Sequence, residues 1–266
     1  MLWRVGALGA FGPGHTLRMG EAMTVLVVGV AAGAINTIVG SGTLVTFPTL
    51  LAIGYSPVVA NVSNTIGLVF GSVSGAVGYR RELRGQGRRL LVLGAVGGAG
   101  GLTGGVLLLV ADRRVFGDVV PVLILGACAL VAAQPRLSTL VAARRPRREH
   151  GGLELALLVF LTGIYGGYFG AAQGVVLLAL LGIFLTDDLQ RLNGAKNVVV
   201  AIVNGVAAVL FVFAAHVAWP VVGLLALGSV AGGQLGARVG RRLPAPVLRA
   251  AIILVGGVAA LRLIVG

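Results

Sequence analysis

Carboxylates are scarce in this chain: eight Asp and Glu stand against twenty-one Lys and Arg in 266 residues. No carboxylate falls deep inside an apolar run. Glu154 lies at the edge of one run, and Asp187 and Asp188 lie where another begins. This argues against a carboxylate proton relay inside a membrane and against paired-carboxylate hydrolysis. Cysteine is nearly absent too. The single Cys128 cannot form an internal disulfide and behaves as a small hydrophobe. The three histidines, His15, His150 and His216, are isolated, so no metal-binding cluster is written in the sequence. No nucleophile–base pair is visible, so the chain does not read as an enzyme and calls for no cofactor.

Charge of either sign is also sparse. Charged residues make up 11% of the chain and hydrophobic ones 57%, whereas soluble proteins are about 25% charged. Runs of 18 or more uncharged residues recur along the chain, the pattern of an α-helical protein crossing the bilayer many times. The period-two alternation of a transmembrane β-barrel is missing. The formal charge of +13 sits in short loops between apolar spans. There it sets orientation in the bilayer rather than forming a nucleic-acid surface.

Apolar segments fall at about 22–39, 43–54, 58–79, 88–110, 115–133, 152–169, 172–185, 190–215, 218–237 and 245–265. Segments 43–54 and 172–185 are short for a hydrocarbon core that needs about 20 residues, so they read as half-helices or re-entrant pieces. The expected fold is all-α and polytopic: two inverted repeats of about five segments each. Residues 1–20 read as a disordered leader or a misassigned start. Residues 21–134 form the first repeat, 135–151 a basic irregular linker, and 152–266 the second repeat, with no soluble domain.

Loop charge fixes the sides. Loop 80–89 carries five arginines, linker 134–150 five, and loop 238–249 four, while loops 54–57 and 214–218 carry no Lys or Arg. The positive-inside rule puts the basic loops in the cytoplasm. Segment 58–79 then runs inward and its counterpart 190–215 outward, so the halves have opposite orientation.

A glycine-rich break appears once in each half, about 130 residues apart. It reads Gly33-Ala-Ile-Asn-Thr-Ile-Val-Gly-Ser-Gly-Thr43 in the first and Gly163-Ile-Tyr-Gly-Gly-Tyr-Phe-Gly-Ala-Ala-Gln-Gly174 in the second. Interrupted helices at matching positions point to a transporter's binding site, because lipid cannot satisfy the freed backbone groups. The next helix of each half opens on a cap. Ser56-Pro57 suits N-cap and first-turn positions. Asp187 and Gln190 stand at capping-box spacing.

Candidate site residues follow. Gly40, Ser41, Gly42 and Thr43, with Gly170, Gln173 and Gly174, mark helix starts whose free N–H groups suit an anion. Asn36 precedes the first break. Asn61, Asn64 and Thr65 share one helix face, and Asn193, Lys196 and Asn197 repeat their spacing. Lys196 is the only lysine and lies about seven residues into its span. Its two readings are contact with an anionic substrate or snorkelling to the interface. The ridge Gly228, Gly232, Gly236 and Gly240 is assigned to helix packing.

Gly40-Ser-Gly-Thr-Leu-Val-Thr-Phe-Pro48, Ala60-Asn-Val-Ser-Asn-Thr65 and Phe70-Gly-Ser-Val-Ser-Gly-Ala76 resemble the first half of the sulfite exporter TauE/SafE family, and residues 163–204 resemble its second half. The likeness spans about 22–265. It departs from the family's fuller glycine run at Thr43, Ala172 and Gln173 and lacks the proline after the second break. The resemblance implies a multi-pass permease of the bacterial inner membrane for sulfite, organosulfonates or related sulfur or carboxylate anions. Expected partners are therefore a small anionic substrate and the lipid bilayer, with no nucleic acid; a homo-oligomer is compatible with the sequence. An anion channel and a non-transporting assembly or accessory subunit are the alternative classes.

Overall fold

The computed structural model describes residues 17–143, 152–239 and the helical positions 253, 254, 257, 258 and 261. Most of the expected leader and linker and most of segment 245–265 lie outside the described residues. Most of those described are helical, with no strand among them. The helices are α1 (Met19–Ile38), α2 (Thr43–Ile53), α3 (Pro57–Gly78), α4 (Gly87–Val110), α5 (Arg113–Ala143), α6 (Gly152–Tyr168), α7 (Gln173–Phe184), α8 (Leu189–Ala214) and α9 (Trp219–Val239). Six helices among the described residues are long and apolar enough to cross a membrane, while α2, α6 and α7 are shorter. At about 1.5 Å per residue, the 11 residues of α2 and 12 of α7 each cover about half of a bilayer core.

Helix boundaries follow local chemistry. Ser56 is the N-cap of α3 and Pro57 its first residue, where a missing N–H costs nothing. Gly54, at φ 113°, closes α2 in the left-handed conformation that glycine adopts freely. At the start of α8 the cap is Asp188, not the expected Asp187. Asp188 Oδ1 accepts from the N–H groups of Gln190 and Arg191 at 2.9 and 3.0 Å. Asp187 is drawn away by Arg89 at 2.6 Å and Arg191 at 2.7 Å. A second difference concerns α5, which runs through Pro135 to Ala143 where the linker was expected to begin. Proline removes one helical hydrogen bond but does not force the chain out of the helix.

Packing pairs one half with the other. α1 lies along α9 and α6 along α4, while α9 also packs on α3 and α4 on α8. Glycine makes the closest of these approaches. The Cα atoms of Gly228, Gly232 and Gly236 lie against the backbone of Leu26, Val30 and Ala34 in that order, so α1 and α9 are parallel. Gly100 and Gly104 lie against Phe160 and Ile164 in the same way, so α4 and α6 are parallel. α3 and α8 are antiparallel, because Tyr79 at the end of α3 meets Asn193 and Gly194 at the start of α8. Without hydrophobic drive between helices in lipid, such small-residue contacts and cross-helix hydrogen bonds hold a bundle together.

Candidate functional site

The helices that open the two halves, α1 and α6, end in the same way. Val39 N–H and Gly40 N–H both donate to Ile35 O, at 2.7 and 3.1 Å, and Phe169 and Gly170 both donate to Tyr165 O, at 2.9 and 3.0 Å. Each chain then turns through a left-handed glycine, Gly40 at φ 92° and Gly170 at φ 75°. The second break adds Ala172 at φ 57°, a conformation unfavourable for a residue with a Cβ. The turns touch. Gly174 N–H donates to Gly40 O at 3.1 Å, and a Cβ on either glycine would collide with the other's backbone. Phe47 of α2 packs edge-on against Phe169 of the second break at 5.2 Å, which closes apolar surface around the contact.

The polar faces of α3 and α8 serve the broken helices, and they do so across the halves. α1 ends with unpaired carbonyls, as every helix does. Lys196 Nζ donates to Asn36 O and Thr37 O at 3.1 and 3.0 Å. Asn193 and Asn197 donate side-chain N–H to the same Thr37 O at 3.2 and 3.3 Å. A helix C-terminus carries partial negative charge, so a lysine suits this end. Lys196 is 0% exposed and turned inward, so it does not snorkel. In the opposite direction, Asn61 of the first half donates to Tyr168 O, at the end of α6, at 3.0 Å.

The remaining first-half residues hold their own break. Asn64 Nδ2 donates to Thr43 Oγ1 at 3.3 Å, and Thr46 Oγ1 donates to Asn64 Oδ1. Asn36 Nδ2 donates to Ser72 Oγ at 3.1 Å, tying α1 to α3. Thr65 Oγ1 donates back to Asn61 O of its own helix at 2.9 Å. Gly42 lies against Ala32 O and the Asn36 side chain.

A few buried polar atoms beside the breaks have no hydrogen-bond partner among the described residues. They are Ser41 Oγ, both amide atoms of Gln173, Thr37 Oγ1, and the amide oxygens of Asn61 and Asn193. Ser41 and Gln173 are each 1% exposed and each adjoins one of the touching glycines. The Gln173 amide lies over Gly166, inside the elbow between α6 and α7. Buried polar groups are normally paired, and these atoms are left without a partner beside the two breaks.

Sequence reasoning missed two contributors. Thr46 was legible as a second hydroxyl one helical turn after Thr43. Thr37 acts through its backbone carbonyl, for which no side-chain signal exists. A cavity of about 360 Å³ lies away from the breaks, among Ser56, Val59, Leu108, Phe213 and His216 at one end of α3, α4 and α8. At the other end Tyr79 and Leu83 pack on Gly194, and Arg191 donates to Arg84 O at 3.2 Å.

Apolar spans that enclose two mutually contacting helix breaks define a multi-pass membrane protein of the transporter class. Comparison with known proteins agrees. The chain belongs to the sulfite exporter TauE/SafE family, whose profile it matches over residues 25–263. It is 27% identical over 246 residues to the probable membrane transporter protein YfcA of Escherichia coli K12, covering 89% of this chain and 87% of that protein. It is 27% identical over 240 residues to the probable membrane transporter protein ORF9 of Sinorhizobium sp, covering 88% of each. A probable membrane transporter protein of Haemophilus influenzae is 26% identical over 212 residues, covering 80% of this chain and 82% of that protein. No solved structure matches the chain significantly.

Proposed function

We propose that this protein is a secondary carrier that moves a small anion across the bacterial inner membrane. The observation that carries this reading is the Gly40–Gly174 contact: two interrupted helices, one from each half, meet backbone to backbone inside the bundle. Broken helices that face each other are how carriers build a midplane site. The halves are read as inverted repeats. Antiparallel α3 and α8, and the exchange of the α1–α9 pairing for α6–α4, support that reading. Alternating access then rocks one half against the other about the breaks, with the arginine-rich loops on the cytoplasmic side.

The substrate class is a sulfur oxyanion such as sulfite, an organosulfonate, or a related small carboxylate. The family description, which names sulfite, supports the first of these. The site comprises the breaks at Gly40, Ser41, Gly42, Thr43, Gly170, Gln173 and Gly174. Around it stand Asn36, Asn61, Asn64, Thr65, Asn193, Lys196 and Asn197. Purified protein in proteoliposomes is expected to give saturable counterflow of at least one such anion. The same anion should raise the melting temperature in detergent, because a ligand that binds only the folded state stabilises it. Non-saturating flux would identify a channel. Absence of flux together with a co-purifying membrane partner would identify an accessory subunit.

A further inference from the structure

The polar groups around the breaks divide into two sets. Lys196, Asn64, Thr43 and the amide N–H groups of Asn61, Asn193 and Asn197 are committed to helix ends or to each other. The uncommitted set is different in character. It holds three groups that can donate, the hydroxyls of Thr37 and Ser41 and the Gln173 amide nitrogen. It also holds three carbonyl-type oxygens that can only accept, on Gln173, Asn61 and Asn193. Both Gln173 amide atoms are uncommitted, so acceptor-only oxygens stay open beside the donors in either orientation of that amide.

We infer that the transported species is an oxyanion that carries its own hydrogen-bond donor, a singly protonated oxyacid or a hydroxyl-bearing sulfonate, and that Ser41 and Gln173 grip it directly. The inference rests on the carrier reading above and deepens it. A fully ionised oxyanion only accepts hydrogen bonds. It would pair with Ser41 and the Gln173 nitrogen but would turn its charge toward acceptor oxygens it cannot satisfy. A monoanion that retains one O–H satisfies both kinds of group. Lys196 on α8, Tyr79 at the end of α3, and Tyr165 and Tyr168 on α6 are titratable side chains beside the junction. Lys196 is hydrogen-bonded to α1 carbonyls, Tyr79 to Asn193 and Tyr165 to Ala171 O at 2.5 Å, and the Tyr168 ring packs edge-on against Phe116. None is a carboxylate. A proton that crosses with the anion therefore travels as the anion's own O–H, and its charge is carried by the substrate.

The experiment is counterflow of inorganic sulfite by the wild-type protein in proteoliposomes, at pH values on both sides of sulfite's second ionisation. Isethionate and ethanesulfonate serve as competitors; they have nearly the same size, and only isethionate has a hydroxyl. The initial rate should follow the hydrogensulfite fraction. Isethionate should compete about ten-fold better or more, the usual cost of leaving buried acceptors unpaired. In Gln173→Leu the half-saturating sulfite concentration should rise about ten-fold and the preference for isethionate should weaken, since only the Asn61 and Asn193 oxygens remain to accept its hydroxyl. Should Gln173→Leu fail to fold by size-exclusion and circular dichroism, Ser41→Ala should raise the half-saturating sulfite concentration in the same way while the preference for isethionate is kept, because the acceptor oxygens are untouched. A rate that follows fully ionised sulfite, equal competition by the two sulfonates, or unchanged half-saturation in a folded variant would overturn the inference while leaving the carrier reading intact. Absence of flux of any anion by the wild type would sink both.

Discussion

Lys196 of the second half donates to Thr37 O of the first at 3.0 Å, although 159 residues separate them. The ammonium is thereby employed as the cap of a helix whose last carbonyls have no intrahelical partner. Lys196→Met should cost about 2 kcal/mol, because Thr37 O keeps two amide donors while Asn36 O loses its lysine donor in a buried setting. Thermal unfolding in detergent would measure it; an unchanged midpoint would contradict the capping role.

The glycine contact sets the closest approach of the two breaks. In Gly174→Ala the new Cβ would come 2.5 Å from Gly40 Cα, and backbone cannot move aside cheaply. A loss of about 3 kcal/mol is expected from overpacking of this kind. Gly85→Ala is the control. Gly85 has φ 80° with open space around it, so only the left-handed penalty of about 1 kcal/mol applies. Equal melting temperatures for the two variants would disprove the steric argument.

Ala172 carries strain that a glycine would remove. Its φ of 57° is the one positive value among the described non-glycine residues. Ala172→Gly should raise stability by up to about 1 kcal/mol, since glycine adopts this conformation freely. Chemical denaturation in mixed micelles is a suitable readout, and a destabilised variant would count against it.

Asp187 lies in the loop between α7 and α8, outside the spans. Burial pushes its carboxyl upward. The hydrogen bonds and charges of Arg89 and Arg191 outweigh that and hold it below the ordinary carboxylate range. A carboxyl lowered in the folded state stabilises above its unfolded pKa of about 3.9 and loses that contribution as pH falls through the folded value. Melting temperature should therefore drop in acid for the wild type, and the drop should be shallower in Asp187→Asn. Parallel pH profiles for the two proteins would refute this.

Much of the fold is legible in the sequence because hydrophobic length and loop charge dictate it. Segment 43–54 became α2 at Thr43–Ile53, and 172–185 became α7 at Gln173–Phe184. The breaks are legible because glycine clusters inside apolar runs have few other uses. The division of labour among the polar residues is not legible. Spacing brings Asn193, Lys196 and Asn197 to one face, but it does not reveal that the face meets the Thr37 carbonyl. Nor could spacing separate Asp187 from Asp188, because the choice depends on Arg89, which arrives from another helix. Composition around Pro135 suggested an early end to α5. Proline marks a weakened turn, and the helix continued across it.

The reciprocal capping has a consequence for biogenesis. A ribosome delivers α1 long before α8, so the end of α1 waits in the bilayer with bare carbonyls until residues 193–197 are inserted. Asn61 likewise waits for Tyr168. Neither half can mature alone. Two separately expressed fragments, split between α5 and α6, should each be degraded when made singly and should protect one another when made together.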